Sequence, residues 1–135
     1  MLRKILSLGT VAAVVLVTAA CVRTARPAPH VPQALLETWF HSFEEDQGNI
    51  EIYRPRGFSF PPAFGRNGFA IMRDGRFIQY DIGPADEIVE IPGAWTLESE
   101  DVLLVRLRRI GSTGQRTYRM QIVSVSPDMM KIRRL

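Results

Sequence analysis

The chain has 135 residues, of which 46% are hydrophobic and 23% charged, and its formal net charge is +3 at neutral pH. This length fits one domain with a single core. The single cysteine excludes an internal disulfide.

The first twenty residues have the layout of an export signal. Arg3 and Lys4 precede an apolar stretch at 8–17, and small residues follow at 18–20. That stretch is shorter than the roughly 20 residues that a helix needs to cross a bilayer. We therefore predict a cleaved signal peptide over residues 1–20. A retained N-terminal anchor is the alternative.

The only cysteine lies in the sequence VTAAC at 17–21, which resembles the lipobox of bacterial lipoproteins, with Thr18 in place of the usual Leu or Val. The resemblance implies that Cys21 is lipidated and that acyl chains such as palmitate hold the protein on a membrane. Each buried methylene contributes about 0.8 kcal/mol, so two or three chains attach it lastingly. Val22 differs from the acidic inner-membrane retention signal. We therefore expect a cell-envelope protein on the outer membrane, facing the periplasm, if the cell is Gram-negative.

Removal of the signal leaves 115 residues and lowers the net charge to +1, because Arg3 and Lys4 leave with it. Export also separates the chain from nucleic acid, so no nucleic-acid partner is expected. Residues 21–33 contain three prolines and little apolar periodicity, which predicts an extended tether. The folded domain is predicted over residues 34–135.

The domain shows short β-rich runs separated by turn sequences, with only a possible helical turn at 33–37. This pattern is typical of an all-β barrel or sandwich. Nine runs are predicted as strands, at residues 37–43, 50–54, 68–73, 76–82, 87–91, 94–98, 102–109, 116–125 and 129–134.

Three turn sequences predict hairpins. Asp74-Gly75 suits the positive φ angles of a type I′ turn, and further turns are predicted at 111–114 and 126–128. The last three strands then form an antiparallel meander. Alternation places its apolar residues on one face and basic residues on the other, namely Arg106, Arg108, Arg119, Lys131 and Arg133.

Charge is unevenly divided along the domain. Residues 36–101 contain 13 acidic and 5 basic residues, whereas residues 102–135 contain 8 basic and 1 acidic. The two halves are expected to attract each other if the sheet closes. The basic face has two interpretations: it aids strand register and solubility, or it binds anionic lipid or a cell-wall polymer.

Trp39 lies early in the first predicted strand, and the sequence GAW at 93–95 resembles the lipocalin Gly-x-Trp signature. In that family the signature lies on the first strand, where this chain reads ETW at 37–39 instead. The resemblance to lipocalin-like, calycin-type barrels therefore rests more on architecture: up-and-down strands, an early tryptophan and an arginine-rich last strand. The resemblance implies a small antiparallel up-and-down barrel of about eight strands. It also implies that an arginine near the C-terminus, here Arg134, covers Trp39. Trp39 then either fills the core or contacts a ligand.

The stretch 53–66 is rich in aromatic residues, prolines and arginines. Its YRP and FPP sequences are similar to segments of uncharacterised lipocalin-like bacterial proteins. Consecutive prolines prevent regular strand pairing, so Phe58, Phe60 and Phe64 are expected to form a lid on one barrel end or to line a ligand or partner mouth.

No motif in the sequence indicates catalysis or a cofactor. Glu44, Glu45 and Asp46 lack the spacing of a calcium loop and are predicted to form a solvated turn. His30 and His41 stand apart, so no metal site is expected. A nucleophile elbow, a paired-carboxylate arrangement and a phosphate loop are also missing from the sequence. We therefore expect no enzyme activity.

The sequence predicts a membrane-anchored lipoprotein whose barrel binds a small apolar ligand. The candidate ligand-binding residues are Trp39, Phe58, Phe60, Phe64 and Tyr118, and the cavity is expected to be lined by residues such as Phe69, Ile71, Leu103, Val105, Tyr118 and Met120. The alternative is a structural or assembly partner of envelope proteins. That alternative expects a filled barrel with an interaction surface at 53–66 or on the basic face.

Overall fold

The structure, a computed structural model, describes residues 30–108 and 116–135. Every neighbouring strand pair is antiparallel and the sheet closes on itself, which confirms the predicted all-β barrel of eight strands. Single 3₁₀ turns at Gln33–Leu35 and Phe43–Glu45 flank the first strand. The strands are β1 (Thr38–His41), β2 (Glu51–Pro55), β3 (Gly68–Ile71), β4 (Arg76–Ile82), β5 (Ile88–Leu97), β6 (Val102–Leu107), β7 (Arg116–Val125) and β8 (Met130–Arg134).

The order of strands around the barrel departs from chain order at one place. Strands β3 to β8 follow one another up and down, but β1 lies between β2 and β3, and β2 closes the barrel against β8. Because β2 and β3 are both antiparallel to β1, they run in the same direction. The connection at 56–67, here called the crossover loop, must therefore return along the length of β1.

Strand β5 is longer than the sequence indicated. The two strands predicted at 87–91 and 94–98 are one continuous strand, because Pro92 does not interrupt the ladder with β4. The Pro92 carbonyl accepts a hydrogen bond from the Arg108 amide at 2.7 Å, so the proline nitrogen also faces β6 rather than β4. The ladder between β5 and β6 ends next to Pro92, at the pair of Gly93 with Leu107, so the missing N–H breaks neither ladder. Strand β6 is described as far as Leu107; the predicted strand end at Arg109 and the turn at 111–114 lie outside the described residues.

The predicted hairpin at Asp74-Gly75 is confirmed, but the prediction of a type I′ turn is wrong. Gly75 has a φ of +88°, whereas Asp86 is the only non-glycine residue with positive φ in the described ranges. The Met72 amide donates to the Arg76 carbonyl at 3.0 Å, which encloses a three-residue loop. Such loops need one left-handed residue, supplied here by glycine, rather than the two of a type I′ turn. The hairpin at 126–128 is also confirmed by the bond from the Ser126 amide to the Met129 carbonyl, 2.8 Å.

Inward-pointing apolar side chains fill most of the barrel, and the inward face predicted for β6 to β8 is confirmed. Trp39 is completely buried, and its indole N–H donates to the Leu35 carbonyl at 3.3 Å. The 3₁₀ turn at Gln33–Leu35 thus covers this end of the barrel, here called the closed end. Trp95 is also buried in β5 and donates to the Met72 carbonyl at 2.8 Å.

The expected attraction between the acidic and basic halves of the domain is confirmed by three ion pairs. Arg116 contacts Asp81 at 3.2 Å, Arg119 contacts Glu98 at 2.6 Å, and Arg134 contacts Glu51 at 3.2 Å. Each pair joins the C-terminal meander to an earlier strand or turn.

The backbone of β3 passes unusually close to β1 at Gly68. A Cβ atom at this position would clash with the Trp39 carbonyl and would lie 2.7 Å from Cδ1 of Phe40. Since one of these neighbours is backbone, a larger residue would push β1 and β3 apart.

We expect Gly68→Ala to lower the free energy of unfolding by about 1–3 kcal/mol, the usual cost of overpacking a filled site. Gly57→Ala is the matched control, because a Cβ there meets nothing within 4 Å. Urea denaturation followed by tryptophan fluorescence measures both. Equal stability of the two variants would contradict the close approach of β1 and β3.

Candidate functional site

The barrel end opposite the closed end is open and polar, and we call it the mouth. Because β-strand side chains alternate between faces, the inward residues at these strand ends all point into one space. That space comprises a cavity of about 210 Å³ and an adjoining open cleft of about 590 Å³. The polar residues of the mouth are His41, Glu51, Tyr53, Asn67, Gln79, Asp81, Arg116, Tyr118 and Arg134.

Arg134 connects three strands at the mouth. Its Nε lies 3.2 Å from the Glu51 carboxylate, and its Nη2 donates to the Tyr53 hydroxyl at 3.0 Å. Its guanidinium lies 4.9 Å from the centre of the Tyr118 ring. The prediction that Arg134 covers Trp39 is therefore wrong. Arg134 is paired with Met120 near the mouth, whereas Trp39 is covered by Leu35 at the closed end.

A second network crosses the mouth between strands that are not neighbours. The Tyr118 hydroxyl donates to Oε1 of Gln79 at 2.8 Å, and the Gln79 amide donates to Asp81 at 2.8 Å. Arg116 donates to the other Asp81 oxygen at 3.2 Å. Burial raises the pKa of both Tyr118 and Tyr53, so both phenols are neutral at physiological pH.

The charges of the mouth are balanced. Two guanidinium groups, of Arg116 and Arg134, face two carboxylates, of Asp81 and Glu51. His41 stacks on the Tyr53 ring with 5.0 Å between ring centres, and its Nε2 lies 3.0 Å from Asp46. The mouth therefore offers both donors and acceptors without a strong net charge.

The residues predicted to bind a ligand or to line its cavity do not lie together in the structure. Tyr118 lies at the mouth and Phe69 forms part of its floor. Trp39 belongs instead to the packed core. The other residues expected to line an apolar cavity also belong to that core, namely Ile71, Leu103, Val105 and Met120.

The crossover loop neither closes the barrel end as a lid nor lines the mouth with its phenylalanines. The Phe58 and Phe60 rings contact each other, with 4.9 Å between their centres. Arg54, which points outward from β2, lies over Phe58 at 4.8 Å. The loop takes this course along the outer wall because β1 separates the two strands that it joins.

Two ion pairs fasten the crossover loop and its neighbours to the barrel. Arg54 makes two bonds to Glu45, of 2.8 and 2.6 Å, and Arg66 makes two to Glu44, of 2.8 and 2.5 Å. Asp46 accepts the Ile52 amide at 2.9 Å. Glu44 and Glu45 lie in the 3₁₀ turn at Phe43–Glu45, and Glu44 and Asp46 are exposed, so the predicted solvated turn is confirmed. The structure adds that the carboxylates of this turn are paired.

These ion pairs lower the pKa of both glutamates. Hydrogen bonding from Arg54 lowers the pKa of Glu45 to about 2, and hydrogen bonding from Arg66 lowers the pKa of Glu44. Both side chains therefore remain charged well below neutral pH.

The predicted basic face lies on the outer wall of β6 to β8, but its charge is partly neutralised. Arg119 makes two bonds to Glu98, of 2.6 and 2.9 Å. Arg133 donates to the Gln121 side chain at 2.9 Å. Arg106 and Arg108 are exposed, and Lys131 is half-buried.

The polar mouth itself was missed in the sequence, although a signal for it was present. Its residues occur as pairs two positions apart, such as Glu51 with Tyr53 and Gln79 with Asp81. Such spacing places both members on one face of a strand. Reading the alternation for polar as well as apolar residues identifies these pairs as inward-facing.

Within residues 30–108 and 116–135, no group of three His, Cys, Asp or Glu side chains is placed to hold a metal ion. In the same part of the chain, no helix has the length and apolar character needed to cross a membrane.

The chain matches no family model. Comparison with curated proteins and with solved structures likewise gives no match.

We expect the Arg54–Glu45 pair to make stability depend on pH in the acid range. The folded-state pKa of Glu45, about 2, lies below its ordinary value of 4.5, so its contribution is present above pH 4.5 and is lost as the pH falls toward 2. Glu45→Gln should therefore lower the melting temperature at neutral pH. The difference in melting temperature between this variant and the wild type should shrink as the pH falls from 4.5 to about 2. Circular dichroism at several pH values measures this.

The control for this experiment is Glu100→Gln, at an exposed turn residue without an ion pair in the described part of the chain. It should keep the pH dependence of the wild type. A constant difference between wild type and Glu45→Gln from pH 7 to pH 2 would contradict the lowered pKa.

Proposed function

We propose that this chain is a lipid-anchored lipoprotein of the bacterial cell envelope, and that its barrel binds a small polar ligand at the mouth. The export signal at 1–20 and the lipobox-like VTAAC at 17–21 support the anchoring. The observation that carries the ligand site is the convergence of hydrogen-bonding side chains from five strands, β1, β2, β4, β7 and β8, on the cavity and cleft of the mouth. If the organism is Gram-negative, Val22 favours the outer membrane.

The packing of the barrel favours the mouth over its interior as the ligand site. Core residues such as Leu103, Val105 and Met120 are fully buried against one another. An apolar ligand placed among them would have to displace packed side chains, and interiors of this density tolerate little added volume. We therefore replace the apolar ligand expected from the sequence with a polar ligand at the mouth.

The balanced charge of the mouth favours a neutral ligand that both donates and accepts hydrogen bonds. An anion would meet the carboxylates of Glu51 and Asp81, and a cation would meet Arg116 and Arg134. An apolar molecule would displace the water that these polar groups contact without offering them a hydrogen bond in its place. A compound rich in hydroxyl and amide groups, such as a saccharide, satisfies both kinds of partner.

The second candidate function is assembly with an envelope protein through the outer surface. The exposed Phe64 side chain of the crossover loop favours this candidate. The basic face supports it less, because Arg119 is already paired with Glu98.

Membrane attachment is tested by Cys21→Ser. We expect the wild type in the membrane fraction and labelled by radioactive palmitate, because acyl chains on Cys21 supply the attachment. The variant should lose the label and remain unprocessed or leave the membrane. A variant that stays membrane-bound, processed and labelled would overturn the anchoring proposal.

Ligand binding is tested by NMR titration of the full-length lipoprotein in detergent micelles. N-acetylglucosamine should shift the resonances of Gln79, Asp81 and Tyr118, and Asp81→Asn combined with Arg116→Gln should abolish the shifts, because both side chains line the mouth. Arg106→Gln, on the outer wall, is the control and should leave them unchanged. Shifts of the same residues with toluene alone, with inorganic phosphate alone, or with none of the three would each overturn a neutral polar ligand.

A further inference from the structure

Exposed apolar side chains concentrate at one place beside the mouth. Phe64 is 96% exposed, Ile88 48% and Ile82 39%, and these are three of the six large exposed apolar residues in the described part of the chain. Gly65 packs against Ile82, since a Cβ on Gly65 would lie 3.1 Å from Cδ1 of Ile82. Ile82 is in turn paired with Ile88 in the ladder of β4 and β5. We call Phe64, Ile82 and Ile88 the apolar lip.

The segment that presents Phe64 is held in place on both sides. Arg66 bonds to the Glu44 carboxylate, to the Pro61 carbonyl at 2.9 Å and to the His41 carbonyl at 3.1 Å. Its guanidinium also lies 4.6 Å from the centre of the Phe60 ring. Consecutive prolines at 61–62 further restrict the backbone. A partner that buries Phe64 therefore meets a preorganised loop and loses little conformational entropy on binding.

Negative charge lies beside the apolar lip, and Arg116, which borders the same cleft as Ile82, is already paired with Asp81. Asp86 and Glu87 lie in the turn between Ile82 and Ile88, and Glu90 follows on the same outer face of β5. All three are exposed, and none forms an ion pair with a basic residue of the described ranges. Negative charge repels an anionic lipid surface, and it also disfavours a symmetric contact between two copies of the lip.

We infer that the apolar lip is a docking surface for a protein partner that has an apolar pocket rimmed by lysine or arginine. Phe64 fills the pocket, Ile82 and Ile88 extend the apolar contact, and the carboxylates of Asp86, Glu87 and Glu90 meet the basic rim. Aromatic side chains in such positions dominate the binding free energy of many interfaces. The inference rests on the second candidate function and deepens it, because it names the surface and the chemistry of the partner. It does not depend on ligand binding at the mouth: Ile82 borders the open cleft, but Phe64 and Ile88 line neither the cleft nor the cavity.

The first test is photocrosslinking of the full-length lipoprotein in its own cells, with p-benzoylphenylalanine at position 64. The matched control carries the same residue at position 96, which is exposed on the outer face of β5 but lies away from the lip. We expect a discrete protein adduct from position 64 alone. The double substitution Glu87→Lys with Glu90→Lys should abolish that adduct, whereas Glu100→Lys at the closed end should leave it.

The outcomes of this test separate the possible occupants. An adduct with the mass of two copies of this chain, a lipid adduct, or the same adduct from positions 64 and 96 would overturn the proposal. A protein adduct that is unaffected by the charge reversal, or the lack of any adduct, would overturn it as well. None of these results depends on the saccharide titration of the mouth, so the two proposals fail separately.

The second test uses the captured protein after purification. Phe64→Ala should weaken its binding about thirtyfold, the effect typical of a central aromatic contact. The melting temperature of Phe64→Ala should equal that of the wild type, because the ring makes almost no contact within the barrel. Unchanged affinity in a variant of unchanged stability would show that Phe64 is not the anchor.

Discussion

The position of β1 between β2 and β3 is the constraint on which the rest of this structure depends. It forces the crossover loop to travel the length of β1 outside a filled barrel, and it brings the β3 backbone against β1 at Gly68. The loop cannot form a ladder, so side chains must hold it. Arg54 and Arg66 do so through Glu45 and Glu44. The same course brings Phe64 to the rim of the mouth, where its ring is left in solvent.

Inside the barrel, the inward side chains form an apolar part and a polar part. Toward the closed end the inward positions are occupied by large apolar side chains such as Trp39 and Phe77, and the two indole N–H groups bond to the carbonyls of Leu35 and Met72. Toward the mouth the inward positions become polar, and each buried polar group must find a partner there. The networks around Arg134 and Asp81 meet that requirement, and they also bridge strands that are distant in sequence.

Much of the fold was predictable because it depends on local patterns. The alternation of Leu103 and Val105 with polar neighbours, and the glycine in the hairpin after β3, identified strands and a turn from a few adjacent residues. The candidate site was predicted far less well. Tyr118 was expected there, whereas Arg134 was expected over Trp39 but contacts Tyr118. Which inward-facing side chains Arg134 meets depends on the strand order and on the shear of the barrel. Neither quantity leaves a signal within a single strand.

The sequence by itself determined that this chain forms antiparallel strands with one apolar face, because periodicity acts through neighbouring residues. It also determined the attraction between an acidic and a basic half. The export signal at 1–20 stays a prediction from the sequence. Only the tertiary structure decided that β1 lies between β2 and β3, that the crossover loop runs outside the barrel, and that Glu51, Asp81 and Arg134 meet at the mouth. These features depend on which distant segments pair, and that choice is made by packing of the whole barrel rather than by any local preference.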